Sequence, residues 1–321
     1  MTTPVEESSS VEHRSVRIGT QVIGGPSLPV IAGPRRGAEL VQITLRRHHG
    51  TVNAAEALSQ VRDLSAAPLL VEPFSAADLP AAREYADGLV VGGEWMQDFR
   101  LLTAVGAAGL PVVIHRGPHC TVGEWLSAVE YVRAGGTEEV VLAEGGSRRY
   151  GADQPALDLA LIREVREQSG RPVIVDVSGT PWLAGAAVAA GADGLWLAEE
   201  ATTSDVDAAR EATTLLTPIV RQVRGDSLGV CREAIDRVDA VLASLLEYRV
   251  GLASEVQRHK PLGGHAGRNP GRETEIVRGM AARAPSLTRN QLATIMEAVI
   301  IAGLDAAEAA GSAGSPPVWR L

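Results

Sequence analysis

Seven short apolar runs, each followed by a helix-compatible stretch, recur through the first two thirds of the 321-residue chain and limit its fold more than any other feature. They lie at 28–32, 68–71, 88–91, 111–114, 139–143, 172–177 and 194–198. Runs that are apolar at successive positions rather than alternate ones belong to strands buried on both faces. Such strands separated by helices build a parallel sheet. An eighth run at 41–45 brings the count to that of a closed (β/α)₈ barrel of the TIM type, expected over 16–222. Chemistry on such a barrel gathers at the C-terminal ends of the strands, which singles out His115, Arg116, Glu144, Asp176 and Glu199.

Beyond residue 225 the period changes. Ile235, Val238, Leu242, Leu245, Leu246, Leu252 and Val256 recur at steps of three, four and seven, one apolar stripe on one long helix. Running from about Leu228 to Lys260, that helix would be roughly 48 Å long, more than a small unit can cover alone, so the stripe predicts a second copy of the chain. Arg249 and Lys260 fall within about 20° of each other on the helix, while Arg232 lies about 100° away, where a cation either serves a neighbouring protomer's site or sits in water. A Gly- and Pro-rich loop follows Lys260. A second helix then starts at Arg272-Glu273 and runs to about Arg283, and Thr288 with Gln291 forms a capping box that opens a third helix to about Ala310. The class is therefore α/β plus all-α. Residues 1–15 and 312–321 read as a disordered N-terminus and a tail around a barrel and a three-helix domain at 226–311.

A net charge of −9 argues against nucleic acid as partner. Two cysteines, Cys120 and Cys231, provide neither a disulfide framework nor metal-ligand spacing. With no apolar run of membrane-spanning length and no signal-like start, a cytoplasmic protein without membrane attachment is expected. His115 and His119 sit on a strand end and a turn rather than one helix face, so they are not read as metal ligands. His48-His49 reads as a solvated pair.

The helical third resembles the all-helical chorismate mutases. The resemblance rests on Cys-Arg-Glu-Ala-Ile-Asp-Arg-Val-Asp (231–239), Leu-Leu-Glu-Tyr-Arg (245–249), Lys260 and Asn-Pro-Gly-Arg-Glu (269–273). It implies an intertwined helical homodimer that binds a small dianion between helices and needs no cofactor or metal. By the same resemblance Arg249 and the partner protomer's Arg232 grip substrate carboxylates and Lys260 faces the ether oxygen. Arg272 borders the site with Asn269, which stands where the family has Asp, and Glu273 holds a substrate hydroxyl. The family's second donor to that oxygen, a Gln or Glu, aligns with Ala307, and Glu308 stands one residue on, about 100° round the helix.

The barrel is similar to 3-deoxy-arabino-heptulosonate-7-phosphate (DAHP) synthase, in particular to the branch fused to chorismate mutase. The similarity rests on Ile-Ala-Gly-Pro (31–34), Val-Gly-Gly-Glu-Trp-Met-Gln-Asp-Phe (91–99), Val-Ile-His-Arg-Gly (113–117), Leu-Ala-Glu-Gly-Gly-Ser-Arg (142–148), Pro-Val-Ile-Val-Asp (172–176) and Ala-Gly-Ala-Asp-Gly (190–194). That family holds a divalent metal with Cys, His, Glu and Asp. Here those positions read Arg35, Gly179, Ala198 and Asp205, and His115 replaces the Lys that meets phosphoenolpyruvate. The stretch between His49 and Pro68 is too short for the family's phosphate loop. The expectation is a barrel that makes no sugar phosphate and serves as a scaffold, or else binds a small anion at Arg116 and Arg148.

Three enzymatic readings and one non-enzymatic reading follow. The chain is a chorismate mutase, slow if Glu308 cannot reach the ether oxygen and then open to activation by a partner enzyme; or a mutase for 4-amino-4-deoxychorismate in a secondary pathway such as antibiotic biosynthesis; or an active DAHP synthase; or a non-catalytic protein that binds chorismate or prephenate and regulates a partner.

Overall fold

The computed structural model describes residues 13–25, 27–33, 37–48, 53–148, 155–221, 227–259 and 264–313. The chain divides into two compact units, 1–224 and 225–321.

The first unit opens with an antiparallel hairpin, β1 (Ser15–Ile18) and β2 (Gln21–Gly24). Eight parallel strands follow: β3 (Val30–Gly33), β4 (Leu40–Thr44), β5 (Leu69–Glu72), β6 (Gly88–Val91), β7 (Val112–His115), β8 (Val140–Glu144), β9 (Val173–Asp176) and β10 (Gly194–Trp196). They pair in chain order, and β10 pairs with both β9 and β3, closing the barrel. Around it run α1 (Ala54–Leu64), α2 (Leu79–Tyr85), α3 (Phe99–Gly106), α4 (Val122–Gly135), α5 (Leu159–Ser169), α6 (Ala184–Ala189) and α7 (Thr203–Val220). All eight expected runs are strands, within one or two residues at each end.

Each strand is apolar over most of its length because it feeds two cores. Leu40, Leu70, Val90, Val113, Val141 and Ile174 fill the barrel interior. Their neighbours in the strands pack outward against helix residues such as Leu58, Leu102, Val129 and Ile162. Trp125 of α4 is fully buried, and its indole N–H donates to the Ile114 carbonyl at 3.1 Å, so the largest core side chain leaves no donor unmet.

The hairpin is an element that the apolar runs did not predict. Val16, Ile18 and Ile23 plug the N-terminal mouth of the barrel and belong to its interior core. The signal was alternation around a two-residue turn, Val16 and Ile18 inward, then Gly19-Thr20, with Gly19 at φ +55°. Asp193, from the Ala-Gly-Ala-Asp-Gly motif, works at the same end. It is buried, accepts from the Val173 amide at 2.9 Å and pairs with Arg221 at 2.9 Å, so it ties β10 to β9 and to the end of α7.

The second unit has three helices, α8 (Leu228–His259), α9 (Pro270–Ala281) and α10 (Arg289–Ala313). The capping box opens α10 as expected: the Thr288 N–H and hydroxyl donate to Gln291 Oε1 at 2.9 and 2.8 Å, and Thr288 Oγ1 accepts from the Gln291 amide at 3.3 Å. Asn269 caps α9, accepting from the Arg272 amide at 3.1 Å, and Pro270 takes the first helical position. Asn and Asp cap equally well, so the helix start tolerates the exchange at 269.

α10 packs on both α8 and α9. Only Val241, Gly251, Leu292, Met296, Gly303 and Leu304 are buried among the described residues of this unit. The stripe of α8 is not covered: Ile235, Leu242, Leu245 and Val256 remain 50–58% exposed.

Candidate functional site

A cavity of about 290 Å³ opens between the three helices. α8 supplies Arg249, Leu252, Ala253 and Val256, the loop before α9 supplies Gly264 and Arg268, α9 supplies Arg272, Glu273 and Ile276, and α10 supplies Ile300 and Leu304. The structure thus brings together four residues singled out in the sequence: Arg249, Asn269, Arg272 and Glu273.

Arg249 is half-buried and lies over α10, donating to the Val299 carbonyl at 3.4 Å. Among the described residues it meets no carboxylate, and burial pulls its pKa below the ordinary guanidinium value. Guanidinium still carries its charge at any physiological pH. A partly desolvated cation without a counter-ion, facing a cavity, calls for an anion. Gly303 of α10 faces it, and an added Cβ there would stand 3.5 Å from an Arg249 Nη atom, in ordinary contact.

Arg272 reaches the rim and is mostly exposed, paired with Glu275 at 3.2 Å. Glu273 is held from the loop: Arg268 donates to its two carboxylate oxygens at 3.0 and 2.8 Å. Arg268 was not found in the sequence reading. A signal existed, a cation five residues before a carboxylate across a helix start, but only the turn geometry closes the pair. On the far side of Arg268 and Glu273 lies a hollow of about 440 Å³ lined also by Arg278, Arg289 and Met296, and Glu297 stands 3.9 Å from Arg268.

Glu308 is exposed on α10 and is not among the residues that line the cavity. Its carboxylate reaches back to Gly264, where an added Cβ would stand 2.6 Å from Glu308 Oε1. Gly264 lines the cavity and has φ +64°, so glycine is required there both by the backbone and by the carboxylate that stands against it. Arg232 is exposed on α8, 17 residues from Arg249, or about 25 Å along the axis, and does not line its own chain's cavity. Lys260 lies outside the described residues.

The barrel has its own cavity, about 250 Å³, at the C-terminal ends of its strands. Of the five strand-end residues, His115, Asp176 and Glu199 line it. Glu72 and Glu200 add two carboxylates, and Arg47 is the guanidinium among the described lining residues, already paired with Glu199 at 3.4 Å. His115 stands edge-on to Trp196, ring centres 4.9 Å apart, and burial lowers its pKa so that it stays neutral. Glu72 accepts from Arg46 at 3.1 Å, and the Arg46 guanidinium lies 3.9 Å over the Trp95 ring.

One expectation for the barrel is overturned. Arg116 is no anion-binding residue, because its fork is consumed internally: it donates to the two Glu144 oxygens at 2.5 and 2.8 Å, to the Cys120 carbonyl and to Ser147 Oγ. The side chains of Arg116 and Glu144 are 3% and 0% exposed, and neither lines the cavity. Arg148 is exposed and pairs loosely with Glu94 at 3.7 Å. Asp205, the one metal-ligand position of the family that keeps a carboxylate here, is engaged locally. It caps α7, accepting from the Thr202 amide and hydroxyl at 2.8 and 2.7 Å, which holds its carboxyl below the usual range.

A divalent metal therefore does not fit the described residues, since Gly179 and Ala198 carry no donor and Asp205 is engaged elsewhere. Among the described residues no three His, Cys, Asp or Glu side chains group as a ligand set. Arg35, His49 and the side chain of His48 lie outside the description. No described helix is long and apolar enough to cross a membrane.

Fold and cavities define a (β/α)₈ barrel followed by a helical domain with an anion-seeking pocket. Residues 44–198 match the model of the DAHP synthetase I family, and residues 231–306 match that of chorismate mutase type II. The chain thus joins a barrel of the DAHP synthetase I family to a chorismate mutase type II domain. The phospho-2-dehydro-3-deoxyheptonate aldolase of Thermotoga maritima is 32% identical over 148 residues, 44% of each chain. A 2-dehydro-3-deoxyphosphooctonate aldolase of Desulfosudis oleivorans is 28% identical over 158 residues, 44% of this chain and 56% of that one. The chain spans about half the length of these curated relatives. A truncated DAHP synthase from Thermotoga maritima superposes with a TM-score of 0.57 at 24% identity, covering 66% of this chain and 95% of that one, a likeness of fold.

Proposed function

We propose that the helical domain rearranges chorismate to prephenate and that the barrel serves it as a scaffold. The observation that carries this reading is Arg249, a half-buried guanidinium facing the cavity with no carboxylate partner among the described residues. The match of 231–306 to chorismate mutase type II supports it. The reaction is pericyclic: the ether C–O bond breaks as the C–C bond forms, and no proton, electron or metal changes hands. The protein then has to supply geometry and charge. Guanidinium forks hold the two carboxylates and fold the enolpyruvyl arm over the ring, and a cation at the ether oxygen stabilises its developing negative charge. In this reading Arg249 and the partner protomer's Arg232 bind carboxylates and Lys260 faces the ether oxygen. Arg272 and Asn269 border the ring, Glu273 accepts from its hydroxyl, and Glu308, whose carboxylate stands against Gly264, is the candidate for the second donor to the ether oxygen.

Two copies are part of the proposal, because Arg232 is not among the described residues that line its own chain's helical cavity. The bare stripe of α8 supports the pairing: covering seven half-exposed aliphatic side chains is worth on the order of 5–10 kcal/mol.

For the barrel, four carboxylates against one guanidinium among the described lining residues make a poor seat for two phosphorylated substrates. The purified chain is expected to discharge the diene absorbance of chorismate, and to consume no phosphoenolpyruvate when given manganese and erythrose 4-phosphate. Phosphoenolpyruvate consumption with chorismate untouched would reverse the assignment.

A further inference from the structure

Four charged side chains line the helical cavity among the described residues: Arg249, Arg268, Arg272 and Glu273. A ligand held through its own carboxylates by arginines meets one carboxylate among the described lining residues, Glu273, and has to offer it a donor. That donor is either a hydroxyl or an ammonium. A bare carboxylate favours the ammonium, because opposite charges meet.

Glu273 is not bare. Arg268 donates to both of its oxygens, and the two side chains are 29% and 25% exposed, so water screens the pair only in part. The pair leaves lone-pair capacity on Glu273 for a hydroxyl. An ammonium within hydrogen-bond reach of Glu273 would also stand close to the Arg268 guanidinium and be repelled. Without Arg268 that repulsion is gone, while the carboxylates of Glu273 and Glu297 keep their attraction for a cation.

We propose that Arg268 determines substrate class: paired with Glu273, it makes the cavity prefer a ring dicarboxylate bearing a neutral hydroxyl over one bearing an ammonium at the same carbon. The proposal rests on the reading of this cavity as the chorismate site. Arg268 acts through Glu273 and is a positioning residue.

The test compares the full chain with its Arg268→Gln and Arg268→Lys variants on chorismate and on 4-amino-4-deoxychorismate, reading kcat, KM and calorimetric Kd for each compound. The wild type is expected to favour chorismate. Arg268→Gln is expected to move the kcat/KM ratio by about tenfold or more toward the amino compound, and Arg268→Lys, which keeps the charge, to hold most of the preference. An unchanged ratio, or equal losses on both compounds, overturns the proposal. Should the wild type turn over neither compound while Kd values show the same shift in preference, the mutase reading fails and the selectivity assignment stands. If Kd values show no such shift, the selectivity assignment falls too.

Discussion

Arg249→Ala is expected to lower chorismate turnover by about a hundredfold or more while the helical circular dichroism stays unchanged. The guanidinium makes one long bond to a backbone carbonyl and no ion pair among the described residues, so its removal takes little from the fold. What it takes is the bidentate hold on a carboxylate, without which the flexible arm of the substrate spends most of its time extended. Arg249→Lys should recover little, because a point charge does not reproduce the fork. Steady-state kinetics on both variants checks this. A wild-type rate in Arg249→Ala would mean that the cavity between α8 and α10 is not where the chemistry happens.

The second large effect belongs to the barrel and concerns stability. Arg116→Met leaves Glu144 fully buried without its cation, and breaking a buried pair from one side costs about 3–5 kcal/mol. In the native chain the pair raises the pKa of Arg116, chiefly through the hydrogen bonds to Glu144. Four of the five tryptophans, Trp95, Trp125, Trp182 and Trp196, lie in this unit, so denaturation followed by fluorescence reports mainly on the barrel. The midpoint should fall steeply with little change in slope. Arg148→Met, at an exposed residue with a 3.7 Å contact, should shift it by less than about 0.5 kcal/mol. Equal shifts for the two would contradict the role given to Arg116.

Much of the architecture was legible in the sequence because its signals are local. Strands buried on both faces advertise themselves as unbroken apolar runs, and the starts of α9 and α10 are written in Asn269-Pro270 and in Thr288 with Gln291. The hairpin went unread because its alternation spans only four residues a side. The larger misreading, Arg116, has a different cause. A strand-end arginine looks free in one dimension, and only the register that sets β7 beside β8 shows that Glu144 lies within reach. The same holds for Arg268 and Glu273, joined by a turn. Pairing partners are tertiary facts, whereas the cations of α8 and α9 kept a recognisable spacing because a helix fixes their relative positions along one element.

The account turns on a cavity completed by two chains, and mixing two inactive variants tests that most directly. In a dimer of one Arg232→Ala chain and one Arg249→Ala chain, one site receives both intact arginines and the other receives neither. Co-refolding the two variants in equal amounts should therefore restore about a quarter of the wild-type chorismate turnover, since half of the random dimers are mixed and each holds one working site. Turnover no higher than that of either variant alone would contradict the shared site.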